Sequence, residues 1–205
     1  VQAVIVPHAG YVFSGVTAAS AFAAINPDAE YEHIFLLGPS HHVYWGKASV
    51  YRGASAYATP LGNVPVDTTL CKDLMEKSDA ITYAPEAHES EHCLEVELPF
   101  LQYHMKKMPS IVPIIIATQE LTTLKKIADT LKPYLNEKNL FVISSDFSHY
   151  PAYKDAEIVD GLTKDSIMTG KVEAFVNATL YNQELGIDHL ATSACGMAPI
   201  ATLLM

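Results

Sequence analysis

Three histidines stand shortly after short apolar segments that are rich in β-branched residues. They are His8, His41 and His149. Imidazole is the commonest metal ligand in proteins, and it also works as a general acid or base near neutral pH. Ligands bind beyond the carboxyl ends of the strands in an open α/β sheet, so histidines that follow neighbouring parallel strands should converge there. The pattern therefore predicts a cleft lined by histidine that binds a metal ion or moves protons.

A cysteine with small neighbours is a candidate for the same cleft. Cys195 lies between Ala194 and Gly196. On its own it favours a structural role, because free cysteine is among the most buried residue types. A helix that begins near Gly196 would lower the pKa of the thiol and favour the thiolate. One thiolate with two imidazoles makes a His2Cys ligand set, which suits Cu(I), Zn(II) or Fe(II).

Acidic residues close to these histidines are candidates for orienting the rings. Asp146 lies three residues before His149, and Glu91 and His92 belong to a polar run over residues 88–95. A metal-bound imidazole needs an acceptor for its second nitrogen. We therefore expect Asp146 to hold a histidine ring, and His92 or Glu91 to orient a ligand or accept a proton. Alternatively, the polar run is the solvated start of a helix, where acidic side chains are favoured by the helix dipole.

Composition and charge argue against several classes of protein. The chain has 205 residues, with 13 Lys and Arg against 23 Asp and Glu, and a formal net charge of −10. An acidic protein binds nucleic acids and anionic membranes poorly, and no apolar run approaches the roughly 20 residues of a membrane span. Three cysteines are too few for a disulfide framework, which favours a reducing, cytoplasmic location. The glycine patterns of nucleotide-binding loops and of the serine-hydrolase elbow are missing.

The apolar segments alternate with longer amphipathic ones, and this order predicts the fold. Strands are expected over residues 3–6, 34–37, 111–116 and 140–143. Helices are expected over residues 14–25, 67–77, 91–107, 121–135, 152–168 and 171–180, with Ser14 and Asp67 as the first two caps. Pro99 should bend or interrupt the third of these helices. This alternation is typical of an α/β protein, a three-layer sandwich with a mostly parallel central sheet.

No repeat or linker divides the sequence, so residues 1–205 are expected to form a single domain. The chain begins inside an expected strand and ends inside an apolar run. We therefore expect segments of the natural protein to be missing at both ends.

Five motifs occur in the order seen in the Memo (mediator of cell motility) family, which in prokaryotes is also called AmmeMemoRadiSam system protein B. They lie at residues 4–11, 37–42, 91–100, 144–149 and 195–196, so the resemblance covers nearly the whole chain. The fold of this family is similar to that of the class III extradiol dioxygenases, which are non-haem iron enzymes. The resemblance thus implies a Memo-like domain with an extradiol-dioxygenase-like fold, without the segments found at both ends of the family.

The resemblance also implies roles for individual residues. The metal ligands of the family fall on His8, His41 and Cys195. The candidate catalytic residues are His149, which matches the acid/base of the dioxygenases, and Asp146 and His92, which match polar residues around the cleft. The related dioxygenases have a glutamate where Cys195 stands, and a thiolate makes the site softer and adds an oxidisable sulfur. Copper or iron binding with redox consequences therefore fits better than ring cleavage.

Two functions remain open at this point. The first is a metal-dependent oxidoreductase that holds Fe(II) or copper, with zinc as a third candidate ion, and acts with oxygen on a small, for example phenolic, molecule. The second is a non-catalytic module that sequesters metal or binds a peptide or metabolite in the cleft. Memo proteins are also described as binding phosphotyrosine peptides of a receptor kinase, and the prokaryotic name suggests a partner in a radical-SAM system.

Overall fold

Strands and helices alternate along the chain, and the computed structural model describes all residues from Val1 to Met205. The strands are β1 Ala3–Val6, β2 His33–Pro39, β3 Ala48–Val50, β4 Ala56–Thr59, β5 Gly62–Pro65, β6 Ile81–Thr82, β7 Ser110–Ile116 and β8 Asn139–Ser144. The α-helices are α1 Tyr11–Phe22, α2 Thr68–Lys77, α3 Glu86–Glu89, α4 Leu98–His104, α5 Leu121–Leu131, α6 Tyr153–Met168, α7 Val172–Glu184 and α8 Met197–Leu204. Single 3-10 turns occur at Glu95–Glu97 and Lys132–Tyr134. None of these helices has both the length and the apolar character needed to cross a bilayer.

Six strands form the central sheet in the order β1-β8-β2-β7-β3-β6. The pairs among β1, β8, β2 and β7 are parallel, whereas β3 runs antiparallel to β7. Strands β4 and β5 form a separate antiparallel hairpin. Because β8 lies between β1 and β2 and is parallel to both, the carboxyl ends of these three strands meet at one edge of the sheet. This confirms the expected mostly parallel sheet and brings three histidine-bearing loops together.

Helices cover both faces of this sheet, as neighbouring residues of β2 illustrate. Leu37 lines a cavity with Ala128 and Leu131 of α5, on one face. Gly38 points to the other face, where an added Cβ would lie 2.5 Å from the sulfur of Cys93. Successive side chains of a strand point to opposite faces, so the sheet is the middle of three layers. This architecture agrees with the fold expected from the resemblance.

The core is one continuous cluster of 41 buried apolar residues. Strand β2 is buried from its second residue to its last, and β8 is buried throughout. Within the cluster the rings of Phe35 and Phe141 stack with their centroids 4.6 Å apart. Strands buried on both faces hold the loops at their carboxyl ends in fixed positions, which is what a binding site requires.

The expected helix over residues 91–107 is wrong. A 3-10 turn and then α4 occupy residues 95–104 of this segment, and Pro99 lies in the first turn of α4. Proline is favoured there because the first helical N–H groups have no partner inside the helix, so the segment is interrupted near Pro99 and not bent.

The two predicted helix caps have different outcomes. Ser14 does not cap α1, which begins at Tyr11 after Gly10, a residue with a φ of 91°. Asp67 does cap α2, since its Oδ1 accepts the backbone N–H of Leu70 at 2.8 Å. A side chain with the right chemistry therefore caps a helix only where the backbone turns into the helix at that residue.

Candidate metal centre

His8 lies two residues beyond β1, and only 3% of its surface is exposed. Oδ1 of Asp146, just past the end of β8, accepts the backbone N–H groups of His8 at 2.8 Å and Ala9 at 3.1 Å. The ring nitrogen Nδ1 lies 2.7 Å from the hydroxyl of Ser144. The other nitrogen, Nε2, lies 3.3 Å from the sulfur of Cys195. Asp146 thus fixes the loop and also contacts the ring, since its Oδ2 lies 3.7 Å from Nε2, while Ser144 contacts Nδ1.

His41 follows β2 and is held by the buried carboxylate of Glu91. The Glu91 oxygens accept the backbone N–H of His41 at 2.8 Å and its ring Nδ1–H at 3.0 Å. They also accept the backbone N–H groups of His92 at 3.0 Å and Cys93 at 3.1 Å. Burial raises the pKa of Glu91, but these hydrogen bonds outweigh burial and lower the pKa to about 2. The carboxylate is therefore charged, and His41 keeps Nε2 as its nitrogen for a ligand.

Cys195 lies directly before α8, which begins at Met197 with Gly196 as its N-cap. The Cys195 N–H donates to the carbonyl of Asp146 at 3.2 Å, and the Gly196 N–H donates to Ser145 Oγ at 2.9 Å. A Cβ on Gly196 would lie only 2.4 Å from the Cβ of Ser145. The absence of a side chain at this position allows the cysteine loop to approach the end of β8.

The ligand atoms of His8, His41 and Cys195 all lie within 4.8 Å of one another. Burial raises the pKa of the Cys195 thiol, but hydrogen bonds from His41 and His8 outweigh it and lower the pKa to about 6. Hydrogen bonds raise the pKa of His41, and the bond with Cys195 has a larger effect than the bond with Glu91. A thiolate beside a charged imidazole is therefore the favoured state at neutral pH.

This donor set fits a soft or borderline metal ion. In a tetrahedral zinc site, metal–nitrogen distances of about 2.0 Å and metal–sulfur distances of about 2.3 Å place nitrogen and sulfur roughly 3.6 Å apart. The distance of 3.3 Å between His8 Nε2 and Cys195 Sγ is close to this separation. Small movements of side chains would therefore suffice to bind an ion at these three residues.

The remaining two cysteines have a different environment. Cys93 is fully buried, and its sulfur donates to the carbonyl of Pro39 at 3.3 Å. Burial raises the thiol pKa of Cys93 well above its usual value, and burial raises that of Cys71 to about 12. Both residues are therefore neutral thiols, and only Cys195 combines partial exposure with a lowered pKa.

Two further histidines lie beside the three candidate ligands. The His149 ring, the Asp146 carboxylate and the Cys195 sulfur offer ligand atoms within 4.8 Å of one another, although no hydrogen bond joins His149 to Asp146. The ring of His92 lies 5.8 Å from that of His8, and 52% of its side chain is exposed. All the site residues expected from the sequence thus meet at one edge of the sheet.

Sequence reasoning missed two residues behind the site, Ser144 and Glu97. Glu97 is completely buried, with Oε1 3.3 Å from Ser144 Oγ and with no partner for Oε2. Its position is a signal that could have found it, because it lies three residues after Leu94 and four before Leu101, on the apolar side of the expected helix. An acidic residue is almost never fully buried unless it has a partner.

Comparison with known proteins identifies relatives along the whole chain. The profile of the family "Memo-like protein" matches residues 1–205. A MEMO1 family protein of Metallosphaera sedula is 31% identical over 205 residues, which cover 98% of this chain and 69% of the relative. A second, from Schizosaccharomyces pombe, is 40% identical over 154 residues, which cover 72% of this chain and 49% of the relative. The crystal structure of an uncharacterised protein from Escherichia coli K12 shares the fold, with a TM-score of 0.67, 15% identity, and coverage of 98% of this chain and 87% of that one.

Proposed function

The chain belongs to the Memo-like protein family, and from this premise we propose that it binds iron or copper at His8, His41 and Cys195 for redox chemistry on a small molecule. One observation carries the proposal. The ligand atoms of two imidazoles, each from a different loop after a strand, and the sulfur of Cys195 all lie within 4.8 Å of one another. The partners of each ligand give further support. Glu91 holds His41, Ser144 contacts the ring of His8, and backbone bonds fix the loop of Cys195.

The mixture of ligands supports the choice of metal. Thiolates favour soft ions, and imidazole suits copper, iron and zinc alike. Bound iron or copper would supply one-electron chemistry that no side chain of the cleft can supply. We therefore rank these two ions above zinc, for which the same ligands would make a site without redox activity.

In this proposal, the residues around the ligands bind and position the small molecule. His149 lies close enough to Cys195 to take a proton from, or give one to, a group bound between them. The half-exposed His92 would provide a second proton-exchanging group at the rim of the cleft. Asp146 would act through the backbone, by keeping the loops of His8 and Cys195 against the end of β8.

Elemental analysis tests the metal site. The protein should be purified without oxygen, chelators or added histidine tags, alongside Cys195→Ser and the control Cys71→Ser. We expect about one equivalent of iron or copper in the wild type and the control, and a large loss in Cys195→Ser, because only Cys195 offers a thiolate. Equal metal content in both variants would contradict the proposed ligands.

Oxygen uptake then separates catalysis from binding. We expect metal-loaded protein to consume oxygen in the presence of a phenolic substrate, and His149→Ala to lose this activity while it keeps its metal. The exposed His189 has a φ of 64°, and His189→Asn is a suitable control because asparagine tolerates that backbone conformation. Metal binding without any turnover would support the alternative, a module that sequesters metal or holds a ligand on a dioxygenase-like fold.

A further inference from the structure

The hydroxyl of Ser144 meets three polar partners behind the metal centre. Its Oγ lies 2.6 Å from the carbonyl oxygen of Cys93, 2.7 Å from Nδ1 of His8 and 3.3 Å from Oε1 of Glu97. A hydroxyl has one hydrogen to donate and two lone pairs that accept. The carbonyl of Cys93 can only accept, so at 2.6 Å the hydrogen of Ser144 must point to it. His8 Nδ1 and Glu97 Oε1 can therefore hydrogen-bond to Ser144 only as donors.

This requirement needs a proton on Glu97, and its surroundings favour one. The carboxyl group is completely buried. Asp146, Cys93 and Tyr11 interact electrostatically with it, and none of them can carry a positive charge, whereas His8, which can, meets it across the Ser144 hydroxyl. Burial raises the pKa of Glu97 to about 9, and the charge of Asp146 adds a smaller increase. Donation from Ser144 would lower the pKa, but the Ser144 hydrogen points to the carbonyl of Cys93.

The unpartnered oxygen of Glu97 leads to the same conclusion. Oε2 is buried without any hydrogen bond. In an ionised carboxylate this oxygen would carry about half of a negative charge in an apolar environment, which is far more costly than an unpaired neutral carbonyl. A neutral acid that donates through Oε1 is therefore the state that satisfies the most groups.

We propose that Glu97 is a protonated positioning residue, which donates a hydrogen bond to Ser144. The Ser144 hydrogen then stays on the carbonyl of Cys93, and the second lone pair of the Ser144 hydroxyl accepts the Nδ1–H of His8. Nε2 of His8 then points towards Cys195 at 3.3 Å and is the ring nitrogen left for a metal. An ionised Glu97 would compete with the Cys93 carbonyl for the single hydrogen of Ser144. That competition would release the loop that carries Glu91, so one buried proton supports the positions of both imidazoles.

The functional meaning of this inference rests on the proposed metal site, whereas the protonation of Glu97 is a property of the metal-free chain. Infrared spectroscopy of metal-free protein at pH 7 tests that property. We expect the carbonyl band of a neutral carboxylic acid in the wild type. The same band should appear in the control Glu95→Gln, because Glu95 is exposed and its loss should not affect Glu97. The band should be lost in Glu97→Gln. Absence of the band, or its survival in Glu97→Gln, would overturn the proposal, whether or not the protein binds metal.

Metal affinity tests the positioning role. Glutamine can donate to Ser144 through its amide, whereas methionine has a similar length and no donor. Competition with a chromophoric Cu(I) chelator should give equal affinities for the wild type and Glu97→Gln, and an affinity about 10-fold weaker for Glu97→Met, as for other groups that orient metal ligands. Equal affinity of the methionine variant would overturn the positioning role. If that variant does not fold, Glu97→Asp, which is too short to reach Ser144, gives the same comparison.

Discussion

The carboxylate of Glu91 accepts hydrogen bonds from both the backbone N–H and the ring Nδ1–H of His41, at 2.8 Å and 3.0 Å. One buried acid therefore fixes the position of this residue and the direction of its ring. The same acid accepts the backbone N–H groups of His92 and Cys93, which ties its own loop to the site.

Glu91→Gln should weaken metal binding. The substitution replaces one accepting oxygen by an amide that faces N–H donors, so His41 would lose part of its support. We expect Cu(I) affinity to fall about 10- to 100-fold, measured by competition with a chelator, the range found for groups that orient metal-bound histidines. Glu95→Gln, an exposed change in the same segment, should have no effect. An unchanged affinity in Glu91→Gln would show that His41 is not held by this carboxylate or is not a ligand.

Cys195 should be the thiol that reacts first in metal-free protein. Its pKa of about 6 makes it a thiolate at neutral pH, whereas burial raises the pKa of the thiols of Cys71 and Cys93. Alkylation with iodoacetamide, followed by mass spectrometry, should modify Cys195 with a rate that rises as pH passes about 6. Bound metal should protect it. Modification of all three cysteines at the same rate would contradict this environment.

Glu97 should make the metal-free protein less stable as pH rises. Its pKa is raised from 4.5 to about 9 in the folded chain, so between these values the unfolded chain loses a proton that the folded chain keeps. Each pH unit in this window therefore lowers the free energy of unfolding, by about 1.4 kcal/mol at most. Urea unfolding from pH 5 to 9 should show the wild type losing stability relative to Glu97→Gln. Parallel stability curves would mean that Glu97 is ionised in the folded protein.

Gly196→Ala should disturb the metal centre through the backbone. The new Cβ would lie 2.4 Å from that of Ser145 and 2.8 Å from the carbonyl oxygen of Ser144, so the cysteine loop must move. We expect a loss of about 1–3 kcal/mol of stability, typical of overpacking, together with weaker metal binding. Gly161→Ala is the matched control. It lies in α6 with open space around its Cβ, and should raise stability by about 0.5–1 kcal/mol with unchanged metal affinity. Similar effects of both changes would count against a close approach at Gly196.

Much of the fold could be predicted because its central strands are long and continuously apolar. All four expected strands lie within observed ones, and β1 has the expected bounds. The short strands β3 and β6 were not predicted, since three and two residues carry too little pattern to be recognised. The helix predicted over residues 91–107 is not continuous, because Leu94, Leu98 and Leu101 have helical spacing although a 3-10 turn lies between Leu94 and Leu98.

The convergence of the histidines could be predicted from topology alone, but the groups that hold them could not. Asp146 was expected to contact a ring, and its Oδ2 lies 3.7 Å from Nε2 of His8, but its hydrogen bonds go to the backbone N–H groups of His8 and Ala9. The hydroxyl of Ser144 takes Nδ1. Glu91 was one of two candidates in its run, and only the structure selects it for His41. Differences of a few tenths of an ångström decide which groups form a hydrogen bond, and the spacing of residues along a sequence does not determine them.

The position of β8 between β1 and β2 determines when the site can form. Strands β1 and β2 precede β8 in the chain, yet they do not pair with each other, and β8, which lies between them, begins at Asn139. Cys195 follows later still. A nascent chain therefore carries two of the three proposed ligands before the strand that aligns them has been made, and contacts between such distant residues form slowly. Metal capture would thus report completion of folding, and a chain that stalls before α8 would remain unable to retain the ion.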